Sequence, residues 1–154
     1  MGKLTLTSPA FEDMGFIPEK YTCKGEEINP PLEISGVPQN AKSLVLIMED
    51  PDIPLIFFFL SSAIHWVICH LDPNTKKIEE GSTLDDAIVG KNTMRQNKYM
   101  APCPPWGTHR YIFKLFALDE KLSLTSKSRK KHVMKAMEGH ILDQTELIGL
   151  YGKQ

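Results

Sequence analysis

The feature that most constrains this chain is an apolar run that ends in a stiff acidic turn. Ser43-Leu44-Val45-Leu46-Ile47-Met48 has the length and continuous hydrophobicity of a strand buried on both faces. Glu49-Asp50-Pro51-Asp52-Ile53-Pro54 follows at once. Each proline fixes φ and restricts the residue before it, so Asp50 and Ile53 are held extended. Carboxylates mounted on a rigid turn at the end of a buried strand keep their positions, which suits a binding site; an ordinary Asp/Pro turn is the alternative reading.

The rest of the chain supports a mainly β protein. Prolines and glycines interrupt the first forty residues too often for a helix of useful length, leaving short strands around Leu4 to Thr7 and Leu32 to Ile34. Ala63 to Leu71 and Tyr111 to Leu118 read as central strands, and Ile141 to Tyr151 as a final one. Asn74 to Lys98 reads as a long surface excursion with one helical turn near Leu84 to Ile88. Ser126 can cap a helix whose Val133, Ala136 and Met137 share a face, with Gly139 as its C′ residue. A length of 154 residues fits a single domain, 1–154.

Composition excludes several function classes. A net charge of −1 argues against nonspecific nucleic-acid binding. The longest apolar tract, Leu55 to Leu60, is far shorter than the ~20 residues that span a bilayer. The first residues lack the apolar core of a secretory signal, so the expected location is cytoplasmic. Cys23, Cys69 and Cys103 are an odd number without zinc-type spacing, and are expected to be reduced thiols. Cys103 reads as structural rather than nucleophilic, since prolines flank it. No cofactor is expected. A metal site from Asp50, Asp52, His65 and His109 is disfavoured, because none of the spacings forms a dedicated metal motif. The basic run Lys127 to Lys135 could attract phosphate-rich surfaces, although a solvated helix face is the simpler reading.

A second rigid loop, Tyr99-Met100-Ala101-Pro102-Cys103-Pro104-Pro105-Trp106-Gly107-Thr108-His109-Arg110-Tyr111, runs into a central strand. If the two strands are sheet neighbours, Asp50, Asp52, His65, His109 and Tyr111 converge at one end of the sheet. Asp50-Pro51-Asp52-x-Pro54, His65-Trp66, Gly90-x-Asn92 and Pro102-x-x-Pro105-x-Gly107-x-His109-Arg110-Tyr111 together resemble the signatures of the phosphatidylethanolamine-binding protein family. The nearer likeness is to its short prokaryotic, Raf-kinase-inhibitor-like branch. Leu6 to Phe11, Tyr21-Thr22-Cys23, Asn29 to Leu32 and Gly139 to Leu142 extend it over nearly the whole chain.

The resemblance implies a large antiparallel sheet packed on a smaller one, a flanking C-terminal helix, and an anion pocket at one end. It implies a binding or inhibitor-like protein for a small phosphorylated or other oxyanion ligand, with a target protease or kinase. A hydrolase using an Asp/His site is the alternative. Carried over by motif, the pocket uses Asp50, His65, Tyr111 and the backbone N–H of Ala101, with Asp52 and His109 shaping its wall and Arg110 paired to an acidic residue. The resemblance further implies a cis Ile53-Pro54 bond. Two departures stand out. Ala101 replaces the usual Gly, which would weaken anion binding if that donor needs positive φ. Leu55 to Leu60 is far more apolar than the usual loop, and Leu55, Phe57, Phe58 and Phe59 suggest either core burial or a homodimer contact.

Overall fold

The computed structural model describes residues 3–54 and 62–152; the apolar Leu55 to Leu60 tract lies outside them. Strands dominate, as the patterning requires. In chain order they are β1 (Thr5–Thr7), β2 (Gly15–Phe16), β3 (Leu32–Ser35), β4 (Ser43–Asp50), β5 (Ala63–Leu71), β6 (Lys77–Ile78), β7 (Ile88–Val89), β8 (Thr108–Leu118) and β9 (Ile141–Gly152). The helix α1 (Lys130–Met137) precedes β9. The larger sheet has the order β2-β9-β8-β4-β5-β7 and the smaller one β1-β3-β6. All pairings are antiparallel except the two-residue edge strand β2, which runs parallel to β9.

Every residue of β4 is buried, because it lies between β5 and β8 with both faces covered. Alternation along the strand then sends side chains to two separate cores. Leu44, Leu46 and Met48 face the smaller sheet and pack with Trp66, Ile68, Phe113 and Leu115 against Leu6, Leu32, Ile34 and Ile78. Val45 and Ile47 face the other way and pack with Val67, Cys69, Phe116 and Leu118 under Val133 and Met137 of α1. Each such buried side chain contributes roughly 1.5–3 kcal/mol, so the alternation of β4 fixes which layer lies on which face.

Four expectations need correction. Cys23 and Cys103 form a disulfide across 80 residues of sequence, and only Cys69 remains a thiol, buried in the helix-side core. Burial alone pushes that thiol up to about 12. Ile53-Pro54 is trans, for no cis bond occurs among the described residues. Ser126 does not cap α1. The N-cap is Arg129, whose N–H donates to His132 Nδ1 at 3.0 Å, while Ser128 closes the preceding turn by accepting from Thr125 N–H. Leu84 to Ile88 makes one turn bond, Ala87 N–H to Leu84 O, and then enters β7 beside β5 instead of forming a helix. Gly139 does follow the C-cap, at φ +81°. No helix among the described residues is long and apolar enough to cross a membrane.

Candidate functional site

The site begins with an irregularity in the pairing of β4 and β5. Met48 opposes Trp66 and Glu49 opposes Ile64, so His65 is an extra residue, a β-bulge. A bulge breaks the alternation and lets two successive side chains share a face. Trp66 and His65 therefore both point to the side of the smaller sheet, where the His65 ring meets Tyr111 edge-on at 5.2 Å. His109 lies two residues before Tyr111 on β8, on the same face, with the two rings stacked at 6.4 Å.

Asp50, the last residue of β4, is the hub. Its Oδ2 accepts from His109 Nδ1 at 2.6 Å, and its Oδ1 accepts the Asp52 N–H at 2.7 Å. Both side chains of the Asp50–His109 pair are nearly sealed from solvent. Asp52 is turned outward to Arg110, whose N–H, Nε and Nη2 all donate to its carboxylate at 2.8–2.9 Å. Those hydrogen bonds outweigh partial burial and hold the Asp52 carboxyl below its ordinary range. The Asp50 turn and the Arg110 fork together aim the loop with a trans proline bond.

The loop before β8 positions the rest. Met100 N–H donates to His65 O at 2.8 Å, and Met100 O lies 2.7 Å from His65 Nδ1. A carbonyl only accepts, so His65 carries its proton on Nδ1 and presents Nε2 to the site. By the same reasoning His109, which donates from Nδ1 to Asp50, presents its own Nε2. Burial lowers the His65 pKa, partly offset by the Met100 carbonyl and the Asp50 charge, with His109 adding to the lowering. Burial also raises the Tyr111 hydroxyl well above its usual value, and Asp50 adds to this, so the phenol stays protonated. Met100 acts through its backbone, which no reading of side-chain types could single out.

Ala101 follows Met100 with its φ outside the left-handed region, so its Cβ brings no backbone strain. Its N–H has no partner among the described residues, and the same holds for the Tyr111 hydroxyl and for Nε2 of both histidines. The loop itself is stapled. Cys103 is bonded to Cys23, Cys23 N–H donates to Pro102 O at 3.1 Å, and Tyr99 donates its hydroxyl to Tyr21 O at 2.8 Å. Asp50, His65, Ala101, His109 and Tyr111 thus belong to one neighbourhood, whereas Asp52 serves as a brace. No group of His, Cys, Asp and Glu among the described residues could hold a metal ion.

The fold and the motif order identify a class. Residues 7–152 match the model of the phosphatidylethanolamine-binding protein family. The chain belongs to that family. It is 45% identical over 153 residues to a UPF0098 protein of Methanothermobacter thermautotrophicus, covering 96% of this chain and 98% of the relative. A crystal structure of a phosphatidylethanolamine-binding protein homologue from Chlamydia trachomatis shares 43% identity and superposes with a TM-score of 0.95 over the full length of both chains. Escherichia coli YbcL shares the fold at a TM-score of 0.87 and 23% identity, over 99% of this chain and 100% of its own.

Proposed function

We propose that Asp50, His65, Ala101, His109 and Tyr111 bind a small oxyanion, such as phosphate or a phosphoryl head group, with Asp52 bracing the wall, and that this single domain acts by binding instead of turnover. The observation that carries the reading is the set of four polar groups that have no partners among the described residues, around one buried Asp–His pair. Ala101 N–H and Tyr111 O–H donate, while the two Nε2 atoms accept when neutral and donate when protonated. A partly protonated phosphate offers both kinds of partner. The Asp50 carboxylate would repel a bare dianion, so it must share a proton with the ligand or act beside a cation.

We further propose an inhibitor-like role toward a protease or kinase, in the cytoplasm; membership of the family supports a binding role. A homodimer through Leu55, Phe57, Phe58 and Phe59 belongs to the same proposal, with sedimentation velocity as its test. The Asp50–His109 pair has the form of an oriented general base, so hydrolysis is the second reading. It is weakened by the loss of Cys103 as a nucleophile, since that sulfur is bonded to Cys23.

Titration calorimetry with inorganic phosphate and O-phosphorylethanolamine, at several pH values, tests the reading. Affinity should rise as pH falls, and because burial lowers the His65 pKa, the limb lost in His65→Ala should lie below the ordinary value of 6.5. Absence of binding at millimolar ligand, or equal binding by His65→Ala, would overturn the site. Hydrolysis of phosphoesters or amides that disappears in His109→Ala would favour the second reading.

A further inference from the structure

The net charge of −1 hides a strong polarity along the chain. Residues 1–86 carry six Lys and Arg against fourteen Asp and Glu, whereas residues 87–137 carry eleven against two. The fold gathers part of this basic stretch into one surface. Lys91 N–H donates to Ser128 O at 2.8 Å, and Asn97 Nδ2 donates to Ser126 O at 2.6 Å. These bonds lay the loop 91–98 against the turn that starts α1.

Arg95, Lys98, Lys127, Arg129 and Lys131 are all exposed there. None of the five pairs with a carboxylate among the described residues, although Lys20, Lys77, Arg110 and Lys114 elsewhere do, as does Lys130 between Arg129 and Lys131, which turns inward to Glu49. Like charges grouped without counter-charges repel one another and weaken the fold, so folding gives no reason for the grouping. Met94, at 66% exposure, stands in the same loop. An exposed apolar side chain among cations is the composition of a membrane-interface contact.

The patch also adjoins the proposed anion site. Thr93 exchanges two hydrogen bonds with Ile64, the neighbour of His65, and the same loop goes on to Met100, which holds His65. We propose that loop 91–98 and the start of α1 dock onto an anionic lipid bilayer, bringing phosphoryl head groups to the rim of the Asp50–His109 site. The head-group part rests on the function proposed above; the docking part stands on the patch alone. A nucleic acid is less well matched, because the patch has no exposed aromatic on which bases could stack. An acidic protein would use the cations and leave the exposure of Met94 without a reason.

Co-sedimentation with phosphatidylcholine vesicles, with and without phosphatidylglycerol, tests docking. The wild type should bind only the anionic vesicles and be released as salt is raised. The triple variant Lys127→Gln, Arg129→Gln, Lys131→Gln should bind about 100-fold more weakly, at about fivefold per charge. Met94→Ser should weaken binding further, and thermal melts should confirm that these surface variants fold. His65→Ala should still dock, so a failed anion site and a failed docking surface give different results. Equal binding to neutral vesicles, a triple variant that binds like wild type, or retention on nucleic acid or an acidic peptide without vesicle binding would each overturn the proposal.

Discussion

Glu49 and Asp50 are consecutive residues of one strand, both buried carboxylates, and alternation places them on opposite faces of the large sheet. Glu49 faces α1. Its oxygens lie 2.8 Å from Lys114 and Lys130 Nζ, and Ser62 donates to it at 2.7 Å. Burial alone would raise its pKa, but Lys114, Lys130 and Ser62 overcome that and bring it to about 2. Asp50 faces the smaller sheet, where it holds one histidine and is surrounded by polar groups that have no partners among the described residues. The comparison shows that burial of a charge does not mark a function. Glu49 is paired with two lysines of its own chain and ties the helix to the sheet; Asp50 sits among polar groups that have no partners among the described residues.

The largest effect should come from breaking the Glu49 side. Lys114→Met with Lys130→Met leaves a buried carboxylate uncompensated, and unfolding in urea should show a loss of about 3–5 kcal/mol with phosphate affinity unchanged. The pH dependence has a definite sign. The folded-state pKa of Glu49 lies below its ordinary 4.5, so the unfolded chain takes up the proton first. The stability that Glu49 contributes is complete above about pH 4.5 and is lost as pH falls toward 2. Acid titration of Glu49→Gln should show a shallower decline over that window.

Reduction of Cys23–Cys103 should come next. Opening an 80-residue link costs roughly 2–4 kcal/mol of stability. Because Cys103 lies two residues from Ala101, denaturation and calorimetry with and without dithiothreitol should also show weaker phosphate binding. A smaller effect, confined to the Asp50 side, is expected from Tyr111→Phe, which removes one hydroxyl donor. Phosphate affinity should fall by about 0.5–1.5 kcal/mol with little change in the melting temperature. Smallest is Asp52→Asn. Its partner Arg110 is half exposed, so solvent screens the pair and the melting temperature should barely change.

How much of this was legible in the sequence depended on whether the signal was a side-chain pattern or a backbone arrangement. The runs Ser43 to Met48, Ala63 to Leu71 and Tyr111 to Leu118 read as strands because their hydrophobicity has only one economical burial, and β4, β5 and β8 contain them. The meeting of Asp50, His65, His109 and Tyr111 was readable through motif order. The bulge at His65 was not, since an extra residue in a ladder leaves no mark in hydrophobicity. Nor was the Met100 clamp, which uses only main-chain atoms. The disulfide was missed because Cys69, buried in the helix-side core, made the cysteine count odd. The start of α1 was misplaced because Ser126 has good capping chemistry but lies in a separate turn closed by Ser128.

The central proposal is that the Asp50 face of the Glu49–Asp50 strand binds an oxyanion and the Glu49 face does not. Backbone amide NMR during a titration with inorganic phosphate tests it most directly. The account predicts the largest shift at the Ala101 amide, with neighbouring changes at His65, His109 and Tyr111, and none at Lys114 or Lys130. Shifts confined to the Lys114 and Lys130 side, or a silent Ala101 amide at saturating phosphate, would contradict it.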